Sequence, residues 1–364
     1  MDKVLIEPWS MEGQTDEFYV PEYINQIGEQ VLQHYDFSVQ SIQIVTTKHD
    51  KGGAIWQLET NKGPKSLKLL HRRPTRSLFS LGAQNYLVLD QKANVPPIVQ
   101  TKDGADYVEA GGKLWFVAEW IEPLYQVTKD LEGAKLLCAA LGKFHRLSTG
   151  YIPPYEAEVA SRIHKWPKDY QKVIRKMEWF RNIANAYSEM PASAHLLNVI
   201  DVFEGHAKEG LERLNQSSYY MLAQKGMEYW GLVHQDYGWS NGQMGPNGMW
   251  IIDLDGVAFD IPIRDLRKLI TGTMADLYQW DATWVREMIK AYHEENPISG
   301  EVYELLMIDL AMPNEFYKNI KEVVYEPEIF LDDQATALIQ TIVNTDQTKW
   351  PVLAEIKDDW KGVE

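Results

Sequence analysis

The feature of this sequence that most constrains its fold is a series of short β-rich segments early in the chain, separated by turn residues. The β-rich segments are residues 42–47, 54–60 and 65–70, and the turns are Lys-Gly-Gly at 51–53 and Asn-Lys-Gly-Pro at 61–64. Gly, Asn and Pro at such short intervals are typical of tight connections between neighbouring antiparallel strands. The segments therefore predict an antiparallel meander.

Further elements extend this meander into a small α+β lobe. A helical pattern covers residues 76–92 and ends before Val95-Pro96-Pro97, and two more candidate strands follow at 106–110 and 113–119. Strands, one helix and then strands again favour an α+β arrangement. We predict an N-lobe over residues 25–122, with a five-stranded antiparallel sheet and one helix, preceded by an N-terminal extension over residues 1–24.

After residue 122 the pattern becomes helical. Leu137, Leu141, Phe144 and Ser148 recur with the 3.6-residue period of an amphipathic helix. Similar patterns continue through most of the remaining chain, so we predict a large helical C-lobe over residues 123–345 that also holds the catalytic loop and metal-binding hairpin described below. The expected fold class is α+β with two lobes. Residues 346–364 are interpreted as a charged and loosely held C-terminal tail.

Composition limits the classes of partner. Hydrophobic residues make up 45% of the 364 residues, enough for two cores, and the formal net charge is −16. Such acidity disfavours non-specific binding to nucleic acid or anionic lipid. The single cysteine, Cys138, excludes an intrachain disulfide, and no apolar run approaches the ~18 residues of a membrane span. The first residues lack the apolar core of a signal peptide, so we expect synthesis in the cytoplasm.

One stretch of the chain concentrates side chains suited to chemistry. A loop carries Asp236 and, five residues later, Asn241. A hairpin signal, Gly-Pro-Asn-Gly at 245–248, then leads through an apolar run to Asp253 and Asp255. Hard oxygen ligands on separate elements suit Mg²⁺, which binds one or two carboxylates together with phosphate oxygens. A carboxylate beside such a site can accept the proton of an attacking hydroxyl group.

These residues resemble the catalytic and metal-binding motifs of aminoglycoside phosphotransferases and choline kinases. The pattern is His234-x-Asp236-x-x-x-x-Asn241, followed twelve residues later by Asp253. The resemblance implies a kinase-like fold of the aminoglycoside phosphotransferase type, with ATP and Mg²⁺ as cofactors.

The surrounding sequence is similar to the CotS-type spore-coat proteins of endospore-forming bacteria. The similar segments include His-Gln-Asp-Tyr-Gly at 234–238 and Pro-Ile-Arg-Asp-Leu-Arg-Lys-Leu-Ile at 262–270. The resemblance covers about residues 25–345. It implies deposition in the spore coat, with other coat proteins as partners.

The resemblance also implies a role for each matching residue. Asp236 matches the catalytic base, and Asn241 and Asp253 match the magnesium ligands. Lys68, in the third predicted strand, matches the lysine that contacts the α and β phosphates of ATP. His234 belongs to the catalytic motif, where it either braces the loop or takes part in proton transfer.

Four further positions are implied in the same way. Glu119 and Ile121 lie where the interlobe hinge of the family offers main-chain groups to adenine. Gly52 and Gly53 occupy the place of the loop that covers the phosphates. All four are therefore expected to bind the nucleotide.

Two further residues have more than one interpretation. Asp255 is either a second metal ligand or a turn-forming aspartate. Lys68 alternates with Leu67 and Leu69, so it either faces the nucleotide or lies exposed on the strand. Kinases usually pair this lysine with a glutamate of the adjacent helix. The helix predicted here offers Gln84, which we expect to be the partner of Lys68.

Three functions are compatible with these residues. The first is an ATP- and Mg²⁺-dependent phosphotransferase of the spore coat, which phosphorylates a hydroxyl group of a small molecule or a coat protein. The second is a structural coat protein that keeps the kinase-like fold with little or no catalysis. The third is a small-molecule kinase of metabolism, acting on a choline-, sugar- or aminoglycoside-type acceptor. Fold alone does not choose among them.

Overall fold

A computed structural model of the chain describes residues 4–13, 18–332 and 334–360. Parts of the predicted N-terminal extension and C-terminal tail lie outside these described residues. Among the helices that are described, none combines the length and the apolar character needed to cross a bilayer.

The secondary structure follows the predicted order, with most strands in the first third of the chain and most helices after it. The strands are β1 (Val39–Lys48), β2 (Gly53–Thr60), β3 (Lys65–Leu69), β4 (Ile98–Val99), β5 (Val108–Ala110), β6 (Lys113–Glu119), β7 (Tyr125–Gln126), β8 (Leu232–Val233), β9 (Gly242–Gly245), β10 (Gly248–Ile251) and β11 (Ala258–Phe259). The helices are α1 (Glu22–Leu32), α2 (Pro74–Asn85), α3 (Leu131–Ser148), α4 (Trp166–Ala186), α5 (Pro191–Gln216), α6 (Tyr219–Gln224), α7 (Met227–Trp230), α8 (Ile263–Asp276), α9 (Ala282–Glu295), α10 (Gly300–Ala311), α11 (Asn314–Tyr325), α12 (Pro327–Phe330), α13 (Ala335–Gln347) and α14 (Lys349–Ile356).

The chain divides into two compact units. The β-rich unit takes its residues from Met1–Val127, Leu147–Ala160 and Gly238–Ala258. The helical unit takes its residues from Thr128–Arg146, Ser161–Tyr237 and Phe259–Glu364. The sequence analysis places the hairpin predicted to bind metal in the helical lobe, whereas this division groups the hairpin with the β-rich unit.

Within the described residues, the β-rich unit contains a six-stranded antiparallel sheet in the order β1-β2-β3-β6-β4, with β5 also paired to β6. The five predicted strands correspond to β1, β2, β3, β5 and β6. The sequence did not predict β4, because its two residues directly follow Pro96-Pro97 and show no alternation.

One face of this sheet packs into an aromatic core. Trp56 on β2 and Trp115 on β6 are buried and stacked, with ring centroids 5.5 Å apart. Helix α1 covers them closely, since a Cβ added to Gly28 would lie 3.4 Å from side-chain atoms of Leu67 and Trp115. Because strand residues alternate between faces, the intervening residues point away from this core.

The helical unit is built around the antiparallel pair α4 and α5. Tyr170, Met177 and Phe180 lie on the buried stripe of α4, at helical spacing. Trp166, at the start of this stripe, is buried as well. Trp179 lies one position off the stripe and is exposed.

The C-terminal residues form an ordered helix, which corrects the prediction of a loosely held tail for the part that is described. Val352, Leu353 and Ile356 of α14 are buried, at the spacing of a helix face. The hydroxyl of Tyr303 donates to the carbonyl of Ile356 at 2.7 Å. The apolar stripe is short and lies among charged residues, which concealed it in the sequence.

Candidate functional site

Lys68 lies on the sheet face opposite the aromatic core, because residues alternate along β3. Leu67 and Leu69 point into the core, and the side chain of Lys68 is buried on the other face. Its Nζ atom lies 2.6 Å from Oδ1 of Asp253 and 2.7 Å from Oδ1 of Asp255. The alternative of an exposed strand lysine is therefore wrong.

The electrostatics of this contact favour the charged lysine. Burial lowers the pKa of an ammonium group because it removes hydration. For Lys68 the attraction of Asp255, and then that of Asp253, outweighs burial, so its pKa lies above the ordinary value. Lys68 is therefore a cation at neutral pH, in contact with the carboxyl groups of Asp253 and Asp255.

The two carboxylates reach Lys68 from a short hairpin, which confirms the predicted hairpin signal. Strands β9 and β10 are joined by Pro246-Asn247, where Asn247 has a φ of 65°. After β10 the chain turns at Asp253, with a φ of 60° and a ψ of 62°, and a 3₁₀ turn over Leu254–Gly256 follows. A left-handed conformation is costly for a residue other than Gly, and such strain concentrates at functional sites.

Asn241 lies at the start of the same hairpin. Its carbonyl accepts the N–H of Ile252 at 3.0 Å, and its own N–H donates to the carbonyl of Gly238 at 3.2 Å. The first bond fixes Asn241 beside the residue that precedes Asp253. The structure thus places Asn241 and Asp253, the predicted magnesium ligands, on neighbouring stretches of main chain.

A cavity of about 580 Å³ adjoins these residues within the β-rich unit. This volume is typical of small-molecule sites. Apolar side chains form much of its wall, including Ile55, Phe116, Ala118, Leu124 and Ile252. Six of the predicted site residues line it as well: Lys68, Gln84, Glu119, Ile121, Asn241 and Asp253.

The predicted hinge residues differ in their free main-chain groups. The N–H of Glu119 donates to the carbonyl of Pro97 at 2.9 Å, and its carboxylate lies 2.7 Å from Nζ of Lys65. Ile121 follows β6, and among the described residues neither its N–H nor its C=O has a hydrogen-bond partner. Ile121 therefore keeps the donor and acceptor that a planar base requires, whereas the N–H of Glu119 is already used.

Gln84 does not pair with Lys68, contrary to the prediction. Its side-chain amide donates to the carbonyl of Pro96 at 2.7 Å. The charge of Lys68 is already balanced by Asp253 and Asp255. Charge-assisted hydrogen bonds are roughly twice as strong as neutral ones, so a carboxamide competes poorly with two carboxylates for an ammonium group.

Gly52 and Gly53 lie at the β1–β2 connection, where the resemblance implies a phosphate-covering loop. Gly52 has a φ of 72°, which closes the turn at low cost. Gly53 has no room for a side chain, because an added Cβ would lie 2.8 Å from Cβ of His71. Packing therefore explains Gly53, and a phosphate contact at either glycine stays a prediction.

In the helical unit, the loop after β8 exposes Asp236, while His234 is buried. Asp265, at the start of α8, accepts the backbone N–H of His234 at 2.5 Å and that of Gln235 at 3.1 Å. Lys268 donates to the carbonyl of Gln235 at 2.6 Å. The main chain just before Asp236 is thus fixed, and Asp265 is its brace.

A buried network supports Asp265. Nε2 of His145 lies 3.4 Å from Oδ2 of Asp265, and Nδ1 of His145 lies 2.8 Å from the hydroxyl of Tyr292. Burial raises the pKa of a carboxyl, but the bond to His145 and the charge of Lys268 outweigh it and hold the pKa of Asp265 well below its usual range. Sequence reasoning missed His145, whose place on the apolar face of α3 was the available signal.

The imidazole of His234 is fully buried within the helical unit. Its ring packs edge-on against Phe144 and Tyr237, with centroid distances of 6.0 and 5.9 Å. A ring enclosed by aromatic side chains favours the bracing role over proton transfer.

Comparison with known sequences points to one family. The family model described as "Spore coat putative kinase YutH" matches residues 76–356. The spore coat protein S of Bacillus subtilis (strain 168) is 27% identical over 348 residues, which covers 95% of this chain and 98% of that protein.

Comparison with solved structures identifies the fold. An aminoglycoside phosphotransferase from Alicyclobacillus acidocaldarius matches with a TM-score of 0.75 at 16% identity, over 97% of this chain and 100% of that chain. An amicoumacin kinase in complex with AMP-PNP, Ca²⁺ and Ami matches with a TM-score of 0.61 at 15% identity, over 93% and 97%. A spectinomycin phosphotransferase in complex with ADP and spectinomycin matches with a TM-score of 0.60 at 14% identity, over 92% and 97%. These similarities confirm the predicted two-lobed, α+β kinase-like fold.

Proposed function

Because the chain belongs to the family of spore coat kinase-like proteins whose model it matches, we propose that it is an ATP- and Mg²⁺-dependent phosphotransferase of the spore coat. It transfers the γ-phosphoryl group of ATP to a hydroxyl group of a small molecule or a coat protein. The observation that carries the proposal is the convergence of Lys68, Asn241 and Asp253 on one cavity of the β-rich unit. Deposition in the coat follows synthesis in the cytoplasm.

The cavity suits the two ends of a nucleotide. Ile121 offers a main-chain donor and acceptor to the edge of the base, and apolar side chains such as Phe116 can contact its faces. The ammonium group of Lys68 can bind phosphate oxygens. A cation and an apolar wall in one cavity therefore support nucleotide binding.

The hairpin residues fit a magnesium ion by their chemistry. Asn241 and Asp253 offer a carboxamide oxygen and a carboxylate oxygen, both hard ligands of the type that Mg²⁺ prefers. When bound, the ion would supply charge neutralisation on the transferring phosphoryl group. The left-handed backbone of Asp253 holds the carboxylate at the turn, where it can serve both Lys68 and an ion.

Asp236 is the proposed catalytic base. It is exposed, and Asp265 and Lys268 hold the main chain just before it. A carboxylate on a fixed loop can orient the acceptor hydroxyl group and accept its proton at Oδ. This role predicts that Asp236→Asn lowers phosphoryl transfer without changing nucleotide affinity.

The first test is the effect of Mg-ATP on the melting temperature and on calorimetric heat. A ligand that binds only the native state stabilises it by about 2.7 kcal/mol at a hundredfold excess over its dissociation constant. We expect a rise in Tm with Mg-ATP, a smaller rise with ATP and EDTA, and slow ATP turnover that Asp236→Asn removes. No shift and no heat at saturating Mg-ATP would contradict the proposal.

One observation favours a second candidate, a structural coat protein on the same fold. Lys68 and Asp253 lie 2.6 Å apart and satisfy each other, so the nucleotide must compete with an internal ion pair. For this candidate we expect Mg-ATP binding without turnover, or no binding at all. Single-turnover assays with radiolabelled ATP and isolated coat proteins separate the two functions.

A further inference from the structure

Helix α2 cannot supply the acid that kinases usually place beside the phosphate-binding lysine. Its twelve residues, Pro74–Asn85, include neither Asp nor Glu. Gln84, the polar residue expected in that place, donates instead to the carbonyl of Pro96. Lys68 must therefore take its counter-charge from elsewhere in the β-rich unit.

The two carboxylates beside Lys68 differ in their surroundings. The side chain of Asp253 is 25% exposed and that of Asp255 is 11% exposed. Asp253 lines the cavity of about 580 Å³. Asp255 does not line that cavity, and it lies with Gly53 and His71 around a space of about 10 Å³, too small for a ligand. Asp253 thus faces the proposed nucleotide site, whereas Asp255 lies behind the lysine.

We infer that Asp255 is a positioning residue that replaces the missing helix acid and holds Lys68 toward the nucleotide phosphates. The inference rests on the proposed function, because the role of Lys68 in phosphate binding is part of it. Of the two interpretations of Asp255 open from the sequence, a second metal ligand and a turn residue, neither describes its 2.7 Å contact with Nζ of Lys68.

The arrangement divides two tasks between two residues of one turn. A metal ion held by Asp253 would compete with Lys68 for that carboxylate. Asp255 would keep its contact with Nζ of Lys68 and hold the side chain toward the cavity. The bend at Asp253 and the 3₁₀ turn after it place both carboxylates on the side of Lys68, although they are two residues apart.

Helix α2 still contributes, through the main chain of this turn. Nη2 of Arg76 donates to the carbonyl of Val257 at 2.6 Å, and the arginine is buried. The guanidinium group also lies 5.0 Å from the ring centroid of Phe79, on the same helix. Arg76 therefore fixes the end of the turn that carries Asp255, and acts as a second positioning residue for Lys68.

The decisive experiment compares ATP affinity with saturating Mg²⁺ and with EDTA for the variants Asp255→Asn and Asp253→Asn. We expect Asp255→Asn to lower ATP affinity on the order of tenfold in both conditions, because Lys68 loses a charge-assisted hydrogen bond. For this variant, the ratio of ATP affinity with Mg²⁺ to ATP affinity with EDTA should stay at the value of the unaltered protein. Asp253→Asn should instead bring that ratio close to one.

The same measurement in a Lys68→Met background tests whether Asp255 acts through the lysine. There we expect Asp255→Asn to change ATP affinity less than twofold, since the interaction is already absent. A tenfold loss in that background would overturn the inference. So would a collapse of the Mg²⁺ ratio in Asp255→Asn alone, which would make Asp255 a metal ligand.

The variant Arg76→Lys tests the positioning role of Arg76 by the same affinity measurements. Arg73→Lys is its matched control. Arg73 precedes the same helix and pairs with Glu158 at the surface. We expect Arg76→Lys to weaken ATP binding in both conditions, by less than Asp255→Asn, and Arg73→Lys to leave it unchanged. Equal effects of the two arginine variants would overturn the role of Arg76.

If the protein binds no Mg-ATP, the proposed function is refuted. The pairing of Asp255 with Lys68 can then still be tested by stability measurements without nucleotide. A double-mutant cycle compares the melting temperatures of the unaltered protein, Lys68→Met, Asp255→Asn and the double variant. We expect the double variant to melt no lower than the less stable single variant. Additive losses would overturn the pairing itself.

Discussion

A buried cluster of opposite charges occurs in each compact unit, and the two clusters differ in what surrounds them. In the helical unit, Asp309 has no exposed surface and lies 2.9 Å from Nε of Arg267 and 3.4 Å from Nη1 of Arg264. The hydroxyl of Tyr170 donates to it at 2.7 Å, and the ring centroid of Trp166 lies 4.2 Å from Cζ of Arg264. Aromatic side chains thus close this cluster.

The cluster around Lys68 in the β-rich unit has an open side. Lys68 contacts two carboxylates, and one of these, Asp253, also lies 3.6 Å from Nζ of Lys48 and lines a cavity. Both clusters contain buried and paired charges, so burial alone does not mark a binding site. The adjoining space, together with groups whose charges a ligand could satisfy, distinguishes the cluster for which we propose a function.

The largest effect is expected for Asp309→Asn. This change removes the anion of the buried guanidinium group of Arg267, while Arg264 keeps a contact of 3.4 Å with Asp169. We expect it to cost about 3–5 kcal/mol of unfolding free energy. Urea denaturation measures the loss. The matched control is Asp276→Asn, because Asp276 pairs with Lys129 at the exposed surface, where a pair contributes about 0–1 kcal/mol. A loss for Asp309→Asn as small as that of the control would remove the distinction between closed and surface charges.

A smaller effect, dependent on pH, is expected at Asp260 in the helical unit. Burial raises the pKa of Asp260 to about 6, although the nearby Arg264 lowers it. Oδ1 accepts the indole N–H of Trp166 at 2.8 Å, and among the described residues Oδ2 has no hydrogen-bond partner. The carboxyl group is therefore more easily protonated in the folded state than in the unfolded state.

Because the folded pKa is the higher one, the folded protein binds more protons between about pH 4 and pH 6. The contribution of Asp260 to stability is present below this window and is lost as the pH rises through it, by at most about 3 kcal/mol. Asp260→Asn should flatten this part of the stability curve, measured by urea denaturation at several pH values. An unchanged pH profile would show that Asp260 does not titrate there.

The smallest effect on stability is expected for Lys68→Met. Removal of the cation leaves Asp253 and Asp255 close together, but water from the cavity can hydrate the nearer carboxylate. We expect a loss of about 1–2 kcal/mol, clearly below that of Asp309→Asn. A loss equal to that of Asp309→Asn would show that the Lys68 cluster is as closed as the one in the helical unit.

Local patterns in the sequence predicted much of the fold. The turn residues correctly predicted the strands β1, β2, β3 and β6 and the hairpin of β9 and β10, because a short connection allows few backbone conformations. The two-residue strand β4 and the short helix α14 were missed, since elements of that length carry too little periodicity. The resemblance of the segment from His234 to Asp253 to phosphotransferase motifs implied the kinase-like fold.

The sequence by itself therefore determined the order of elements and the residues available for chemistry. Only the tertiary structure decided which charges meet. Lys68 and Asp253 are 185 residues apart, and nothing local to either shows that they touch. Gln84 was expected beside Lys68, but two carboxylates from the hairpin hold the lysine and a carbonyl holds the amide. Long-range partners are selected by competition among all nearby groups, and the chain must be folded before that competition exists.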